Sequence, residues 1–143
     1  MIRYVKPEDE IQILLMMELV KDDFAGYEET DFLNAVHMAA EKKEALLEEQ
    51  GGMAVAILLF SREMKEISFL AVHPDFRKKG IARRLIMEML TNFEKGDILQ
   101  VVTFREGDEK GAAARACYHA CGFVDDDELT VFEYPCQKMR LEI

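Results

Sequence analysis

The order of hydrophobic and polar positions predicts short strands that alternate with amphipathic helices. Residues 2–5 form a short apolar strand, and Pro7 then starts a helix, because proline suits the first helical turn. Acidic side chains at residues 8–10 complement the dipole of that helix. We expect its buried stripe to consist of apolar residues at helical spacing, namely Ile11, Leu14, Leu15 and Leu19.

A second helix is predicted beyond a break at residues 23–29, which contains Gly26. Thr30 is a suitable N-cap for this helix, since its hydroxyl oxygen can accept from a backbone N–H of the first turn. The expected buried face consists of Phe32, Leu33, Val36 and Ala40. Helical propensity alone would also allow residues 41–50 to continue the helix.

We predict a hairpin instead, with strands at residues 45–49 and 53–60. A glycine pair at residues 51–52 lies between the two strands, and such a pair is typical of a tight hairpin turn. A second turn at residues 61–65 then leads into a strand at residues 67–72.

The most regular amphipathic pattern of the chain covers residues 79–95, and Gly96 is placed to stop this helix. Its apolar positions recur at three- and four-residue steps and are Ile81, Leu85, Ile86, Met89, Leu90 and Phe93. An apolar strand follows at residues 98–104. Its nearly continuous apolar character predicts that both of its faces are covered.

The last part of the chain contains a charged loop at residues 105–110 and a short helix at residues 112–121. Two strands follow, at residues 123–125 and 131–141. Because helices and strands alternate in the middle while hairpins flank them, we expect an α/β fold with a mixed, mostly antiparallel sheet and helices on both sides. The 143 residues, half of them hydrophobic, suit a single domain over 1–143.

Charge and composition narrow the classes of function. The formal net charge of −10 argues against a general nucleic-acid binder, because contacts to phosphates favour basic surfaces. The acidity is typical of a soluble protein and could also favour a cationic substrate. No apolar run approaches the ~20 residues that span a bilayer, and residues 1–7 lack the apolar region of a signal peptide. We therefore expect a cytoplasmic protein without a membrane partner.

The three cysteines, Cys117, Cys121 and Cys136, give an odd count without the spacing of a metal site. We expect reduced, structural thiols and no bound metal.

Candidate chemistry is concentrated between Leu70 and Arg84. A predicted strand ends at Val72, and a loop leads into the helix that starts near residue 79, so free backbone N–H groups at that helix start can bind an anion. Gly80 and Ala82 lack bulk and allow a pyrophosphate to approach the backbone. The basic residues of the segment are Arg77, Lys78, Lys79, Arg83 and Arg84. A Walker loop and a Gly-x-Gly-x-x-Gly fingerprint are both absent.

Two motifs resemble those of the GCN5-related N-acetyltransferase (GNAT) superfamily. Arg77-x-x-Gly80-x-Ala82, after a strand ending Val72-x-Pro74, resembles its acetyl-CoA-binding signature. Ala114-x-x-x-Tyr118-x-x-x-Gly122-Phe123 resembles its helix-to-strand motif. The order of predicted elements is also similar over nearly the whole chain. The resemblance implies a GNAT-like acetyltransferase fold and acetyl-CoA as the acyl donor.

The resemblance also implies which residues bind the cofactor. The strand that ends at Val72 would carry a bulge, and its backbone would pair with the pantetheine arm of coenzyme A as an added strand does. The loop N–H groups would hold the pyrophosphate. The expected cofactor-binding residues are Leu70, Ala71, Val72, Arg77, Lys78, Lys79, Gly80, Ile81, Ala82 and Arg83.

The same resemblance assigns catalytic residues. Tyr118 occupies the position of the tyrosine that hydrogen-bonds the departing sulfur as a general acid, although a buried tyrosine can also serve packing alone. Glu66 occupies the position of a catalytic glutamate found in some members, whereas many members deprotonate the amine through water. A backbone N–H near Val72 is a candidate donor to the developing oxyanion.

The acceptor side is less well defined. Phe24 and Tyr27 lie in the loop that borders the acceptor site in the family and are the expected substrate-binding residues. Members of the family often have an asparagine where this chain has Gly111. The glycine puts one contact, to the cofactor or to a water molecule, in doubt. The acceptor is expected to be a small-molecule or peptide amine, and a homodimer is one option because dimers are frequent in that family.

These features favour transfer of an acetyl group from acetyl-CoA to a primary amine by direct attack. The first alternative is a non-catalytic module that binds or senses acyl-CoA on the same fold. A protein that binds another phosphate ligand through the loop at residues 77–82 is a weaker alternative.

Overall fold

The computed structural model describes residues 1–143, which form seven strands and four α-helices. The strands are β1 (Ile2–Tyr4), β2 (Ala45–Gln50), β3 (Met53–Ser61), β4 (Glu66–Val72), β5 (Ile98–Phe104), β6 (Val124–Val131) and β7 (Tyr134–Glu142). The helices are α1 (Glu10–Val20), α2 (Glu29–Glu41), α3 (Ile81–Leu90) and α4 (Ala112–Ala120). None of the helices is long and apolar enough to cross a bilayer.

All seven strands belong to one sheet with the order β1-β2-β3-β4-β5-β7-β6. Only β4 and β5 run parallel, and every other neighbouring pair is antiparallel. The prediction of a mixed, mostly antiparallel sheet is therefore confirmed. The hairpin predicted between residues 45 and 60 is also confirmed, with Gly51 and Gly52 at positive φ in its turn.

Helices cover both faces of the sheet. Helices α3 and α4 lie over one face, where the larger core cluster contains Leu85 and Ile86 together with Leu99 and Val101 of β5. Helices α1 and α2 lie over β2, β3 and β4 on the other face, around Ile57 of β3. The prediction of helices on both sides of the sheet is confirmed.

The prediction for the buried face of α1 was wrong. Ile11, Leu15 and Leu19 are exposed and Leu14 is only partly buried, whereas the buried residues are Ile13, Met16, Met17 and Val20. Apolar residues occur on all sides of this helix, so their periodicity does not indicate which side meets the sheet. Packing against β3 selected the side, and an apolar stripe was left in solvent.

Several predicted boundaries also differ from the structure. Glu28, not Thr30, caps α2, because its carboxylate accepts from the N–H groups of Thr30 and Asp31 at 3.2 and 2.8 Å. Helix α3 ends at Leu90 and therefore does not extend to Gly96. The final strands are longer than predicted because β6 and β7 form a continuous hairpin with its turn at residues 132–133.

The prediction that β5 is covered on both faces was wrong as well. Leu99 and Val101 are buried under α3 and α4, but Ile98 and Val102 are 52% and 44% exposed. The second helical layer packs on β2, β3 and β4, so the other face of β5 remains open.

Candidate active site

The two parallel strands separate next to the predicted cofactor loop. Residues of β4 and β5 pair only at Glu66 with Gln100 and at Ile67 with Val101. The register between β3 and β4 shifts beyond this point, because Leu59 pairs with Phe69 and Phe60 with Ile67, so that Ser68 bulges out. A bulge bends its strand and ends pairing on one side. The edge of β4 from residue 68 to 72 therefore faces a gap.

The loop after β4 presents a row of free backbone donors. A 3-10 turn at Pro74–Phe76 follows the strand, and α3 begins at Ile81. None of the backbone N–H groups from Arg77 to Arg83 donates to an acceptor within the chain. Unpaired N–H groups at the start of a helix form an anion-binding site. The chain thus leaves a row of unpaired donors at the mouth of the gap.

Backbone conformation in this loop depends on two residues with positive φ. Gly80 has a φ of 77°, which glycine adopts without cost, and Lys78 has a φ of 62°. Alternation of left-handed and ordinary residues turns successive N–H groups toward one side and forms an anion-binding nest. Lys78 shares this left-handed conformation with Lys43 and Lys65, which also lie between regular elements.

The basic side chains of the loop fall into two groups. The Arg77 Nε donates to the Val72 carbonyl at 3.2 Å, and its guanidinium lies 3.5 Å from the Asp23 carboxylate. Arg84 donates to the Lys79 carbonyl at 3.1 Å and thereby braces the loop. Lys78 and Arg83 form no ion pair and remain available to a phosphate.

Tyr118 lies on α4 and belongs to the buried cluster that also contains Ile67 and Val101, the last paired residues before the gap. Its side chain is 5% exposed, and no group of the chain hydrogen-bonds its hydroxyl. A buried tyrosine whose hydroxyl has no partner in the chain is able to donate to a ligand that reaches it.

The environment of Tyr118 keeps its hydroxyl protonated. Burial raises the pKa of the tyrosine above its ordinary value, and the neighbouring Cys117 and Cys121 thiols raise it further. The residue is therefore in its acid form at neutral pH.

Glu66 lies at the point where β4 and β5 part. Its carboxylate accepts from the Gln100 side-chain amide at 3.4 Å across the parallel pair. Because Ile67 faces α3 and α4, strand alternation directs Glu66 to the opposite face of the sheet. The two predicted catalytic residues therefore lie on opposite faces of the sheet, and Glu66 lies at the point where β4 and β5 part.

The predicted acceptor residues Phe24 and Tyr27 are part of an aromatic cluster. The Phe24 ring lies 4.6 Å from that of Phe69 on β4, and the Tyr27 ring lies 5.6 Å from that of Phe32. The α1–α2 loop is therefore held over β4. The same loop contacts the β6–β7 turn, because a Cβ atom at Gly26 would lie 2.4 Å from the Phe132 ring.

The structure explains why Gly111 replaces a larger residue. A Cβ atom at this buried glycine would lie 2.4 Å from the Cβ of Phe104, at the end of β5. Phe104 in turn packs edge-to-face against Tyr134 of β7, with ring centroids 5.3 Å apart. A side chain at position 111 therefore has no space, and the close packing requires glycine.

We expect Gly111→Asn to destabilise the protein by about 1–3 kcal/mol, the usual cost of overpacking a tight site. Chemical denaturation measures the change. Ala113→Asn is the matched control, because Ala113 is exposed on the neighbouring helix α4 and the same side chain is added there without a buried contact. Equal losses in the two variants would contradict the steric explanation.

Some residues of the site gave no recognisable signal in the sequence. Gln100 faces Glu66 only because the parallel pairing of β4 with β5 aligns the two residues. Ser68 bulges only because the register between β3 and β4 shifts at this position. Strand alternation would have placed Gln100 on the same face of β5 as Ile98 and Val102. No neighbouring residue in the sequence marks Ser68 as the position of a bulge.

A mixed seven-stranded sheet whose parallel pair opens beside an anion-binding helix start is the architecture of N-acetyltransferase domains. The family model described as acetyltransferase (GNAT) domain matches residues 18–143. The chain therefore belongs to the GNAT acetyltransferase family. The comparison with curated proteins finds no match.

Solved structures with this fold include three bacterial enzymes. The ribosomal-protein-S18-alanine N-acetyltransferase from Escherichia coli is 18% identical with a TM-score of 0.73, over 99% of this chain and 92% of that chain. The ribosomal-protein-alanine N-acetyltransferase from Brucella melitensis is 16% identical with a TM-score of 0.77, over 100% and 99%. An N-acetyltransferase from Staphylococcus aureus Mu50 is 16% identical with a TM-score of 0.72, over 99% and 100%. At these identities the similarity shows the fold.

Proposed function

We propose that this protein transfers an acetyl group from acetyl-CoA to a primary amine by direct attack. The observation that carries the proposal is the row of unpaired N–H groups from Arg77 to Arg83 at the open end of the β4–β5 gap. A diphosphate fits this row, because it carries two charges and accepts several hydrogen bonds. The unpaired Lys78 and Arg83 side chains add complementary charge.

The gap between β4 and β5 is the proposed site for the pantetheine arm of acetyl-CoA. The free edge of β4 at Leu70, Ala71 and Val72 offers backbone groups to the amides of pantetheine, in the manner of an added strand. Gly80, Ile81 and Ala82 place little bulk near the helix start. When bound, acetyl-CoA supplies a thioester carbonyl for attack and a thiolate leaving group.

Two side chains of the protein are the proposed proton acceptor and proton donor of the reaction. Glu66 Oε2, on the open face of the sheet, is positioned to accept a proton from the incoming amine directly or through a water molecule. The Tyr118 hydroxyl, on the other face, donates to the leaving sulfur. A backbone N–H on the free edge of β4 near Val72 stabilises charge on the carbonyl oxygen. Phe24 and Tyr27 hold the loop that borders the acceptor.

The cytoplasm is the proposed location. Cys117, Cys121 and Cys136 are all free thiols, as in proteins of a reducing compartment.

Calorimetric titration of acetyl-CoA into the purified protein tests the proposal. We expect saturable binding with which free coenzyme A competes, whereas ATP and ADP compete weakly because they lack the pantetheine arm. A panel of primary amines is then tested by mass spectrometry of the acetylated product, since the three free cysteines would add background to a thiol assay.

The outcomes separate the alternatives. Binding without transfer to any amine would favour an acyl-CoA sensor on this fold. Equal competition by nucleotides would indicate another phosphate ligand. Absence of any acyl-CoA binding would leave only the fold and the family membership.

A further inference from the structure

A buried glutamate lies under the start of α3. Glu48 of β2 is 4% exposed, and its backbone is paired with that of Ala56 on β3. Leu46, two residues earlier on the strand, belongs to the core cluster under α3 and α4, so strand alternation directs Glu48 toward the same helices. A buried carboxylate is costly unless cations compensate its charge. The cations that contact Glu48 are therefore part of the reason for its position.

Two cations share the Glu48 carboxylate. Its Oε1 lies 3.3 Å from Nη2 of Arg84 on α3, and the enclosed Oε2 lies 2.6 Å from the Met1 amine. Burial alone would raise the pKa of Glu48, but the amine and Arg84 outweigh burial and hold this pKa below its ordinary value. Glu48 is therefore ionised at neutral pH. Its charge fixes the guanidinium of Arg84, whose side chain is otherwise half exposed.

The other terminal nitrogen of Arg84 reaches the loop before α3. Nη1 donates to the Lys79 carbonyl at 3.1 Å, and a Cβ atom at Gly80 would lie 3.5 Å from the same nitrogen. The guanidinium thus lies against the peptide group that joins Lys79 to Gly80. This peptide is trans, so its carbonyl and its N–H point in opposite directions. Because Arg84 holds the carbonyl, the Gly80 N–H is turned away from Arg84, and it belongs to the row of unpaired donors.

We propose that Glu48 is a positioning residue of the acetyl-CoA site, which acts through Arg84 to fix the direction of the Gly80 N–H donor. One guanidinium makes both contacts, because its donors form a planar, rigid fork. The donor row is thereby oriented before the ligand arrives, and binding does not have to order it. The inference rests on the proposed function, since it takes the diphosphate of acetyl-CoA to bind this row.

Glu48→Gln tests the inference, because charge and positioning predict opposite results. The substitution removes a negative charge beside an anion site, so charge alone would tighten acetyl-CoA binding. We expect the Kd of acetyl-CoA to rise about tenfold instead, because a neutral amide holds the guanidinium less firmly and the loop must then be ordered on binding. Calorimetric titration measures the Kd, and thermal denaturation shows whether the variant is folded during the titration.

A double-variant cycle tests whether Glu48 acts through Arg84 or through the Met1 amine. Arg84→Gln should also raise the Kd of acetyl-CoA about tenfold. Glu48→Gln and Arg84→Gln together should raise it about tenfold and not about 100-fold, because both substitutions interrupt the same chain of contacts. Arg84→Lys should not restore the affinity, since one ammonium group cannot replace the fork of the guanidinium.

Glu44→Gln is the matched control. Glu44 is a second buried glutamate with an arginine partner, because its carboxylate lies 3.7 Å from Arg62. It precedes β2, and Arg62 also donates to Asn92, beyond the C-terminal end of α3 and away from the donor row. We expect this variant to lose stability as Glu48→Gln does and to keep the wild-type affinity for acetyl-CoA.

Each outcome decides the inference. Unchanged or tighter binding in Glu48→Gln, additive losses in the double variant, or an equal loss in Glu44→Gln would overturn it. If Glu48→Gln does not fold, the two Arg84 variants decide: equal losses support the inference, and wild-type affinity in Arg84→Lys overturns it. A wild-type protein that does not bind acetyl-CoA would overturn the proposed function together with this inference. Wild-type binding that Glu48→Gln leaves intact would overturn the inference alone.

Discussion

Replacing Gly80 with glutamate should abolish detectable acetyl-CoA binding, a loss of at least about 100-fold, while the protein still folds. Gly80 has a φ of 77° in the middle of the row of unpaired N–H groups. A side chain there is strained by about 1–2 kcal/mol and changes the direction of the neighbouring donors. Its carboxylate would also compete for the same N–H groups and repel the diphosphate.

The fold should tolerate this substitution because the position is open. A Cβ atom at Gly80 would meet only the Arg84 guanidinium, at 3.5 Å. Gly96→Glu is the matched control: Gly96 also has a positive φ, meets nothing within 4 Å and lies beyond the other end of α3. Calorimetry measures binding, and thermal denaturation measures stability. Wild-type affinity in Gly80→Glu would overturn the assignment of the loop.

Replacing Tyr118 with phenylalanine should lower kcat about 100-fold, the lower end of the usual contribution of a general acid. Acetyl-CoA affinity should change by less than about twofold, since the hydroxyl is expected to act on the leaving sulfur more than on the bound ground state. The wild-type hydroxyl has no partner in the chain, so its removal leaves no buried group unsatisfied. The stability of the variant should therefore stay close to that of the wild type.

This combination separates catalysis from packing. If Tyr118 served only core packing, the phenylalanine variant would be less stable or unchanged. Its kcat would then not fall independently of its stability. Tyr4→Phe, on β1 at the far edge of the sheet, controls for removal of a tyrosine hydroxyl. An unchanged kcat in Tyr118→Phe, measured with any accepted amine, would show that the sulfur takes its proton from another source.

The loop between β4 and α3 was the part of the site most accessible from the sequence. Its features are local: Gly80 and the basic residues around it are adjacent in the chain, and a strand-to-helix transition leaves N–H groups free by geometry alone. The hairpin turn at Gly51 and Gly52 was predictable for the same reason. The functional roles assigned to Tyr118 and Glu66 remain predictions; Glu66 lies where β4 and β5 part, and Tyr118 is buried on the other face of the sheet.

The errors occurred where a local pattern was compatible with two tertiary arrangements. Helix α1 is apolar on every side, and only its contact with β3 determined that Ile13 is buried and Leu15 is not. The apolar run of β5 suggested burial on both faces. Its open face depends on where the second helical layer ends, and no residue of β5 encodes that.

The sequence by itself therefore determined the elements, their order and the loop of free N–H groups after β4, because these follow from propensity, periodicity and turn chemistry over a few residues. Only the tertiary structure decided the bulge at Ser68, the short pairing of β4 with β5, the contact of Gly111 with Phe104 and the alignment of Glu66 with Gln100. Each of these depends on register between segments distant in the chain. A shift of one residue would turn every side chain of a strand to the other face, and the packed core selects a single register.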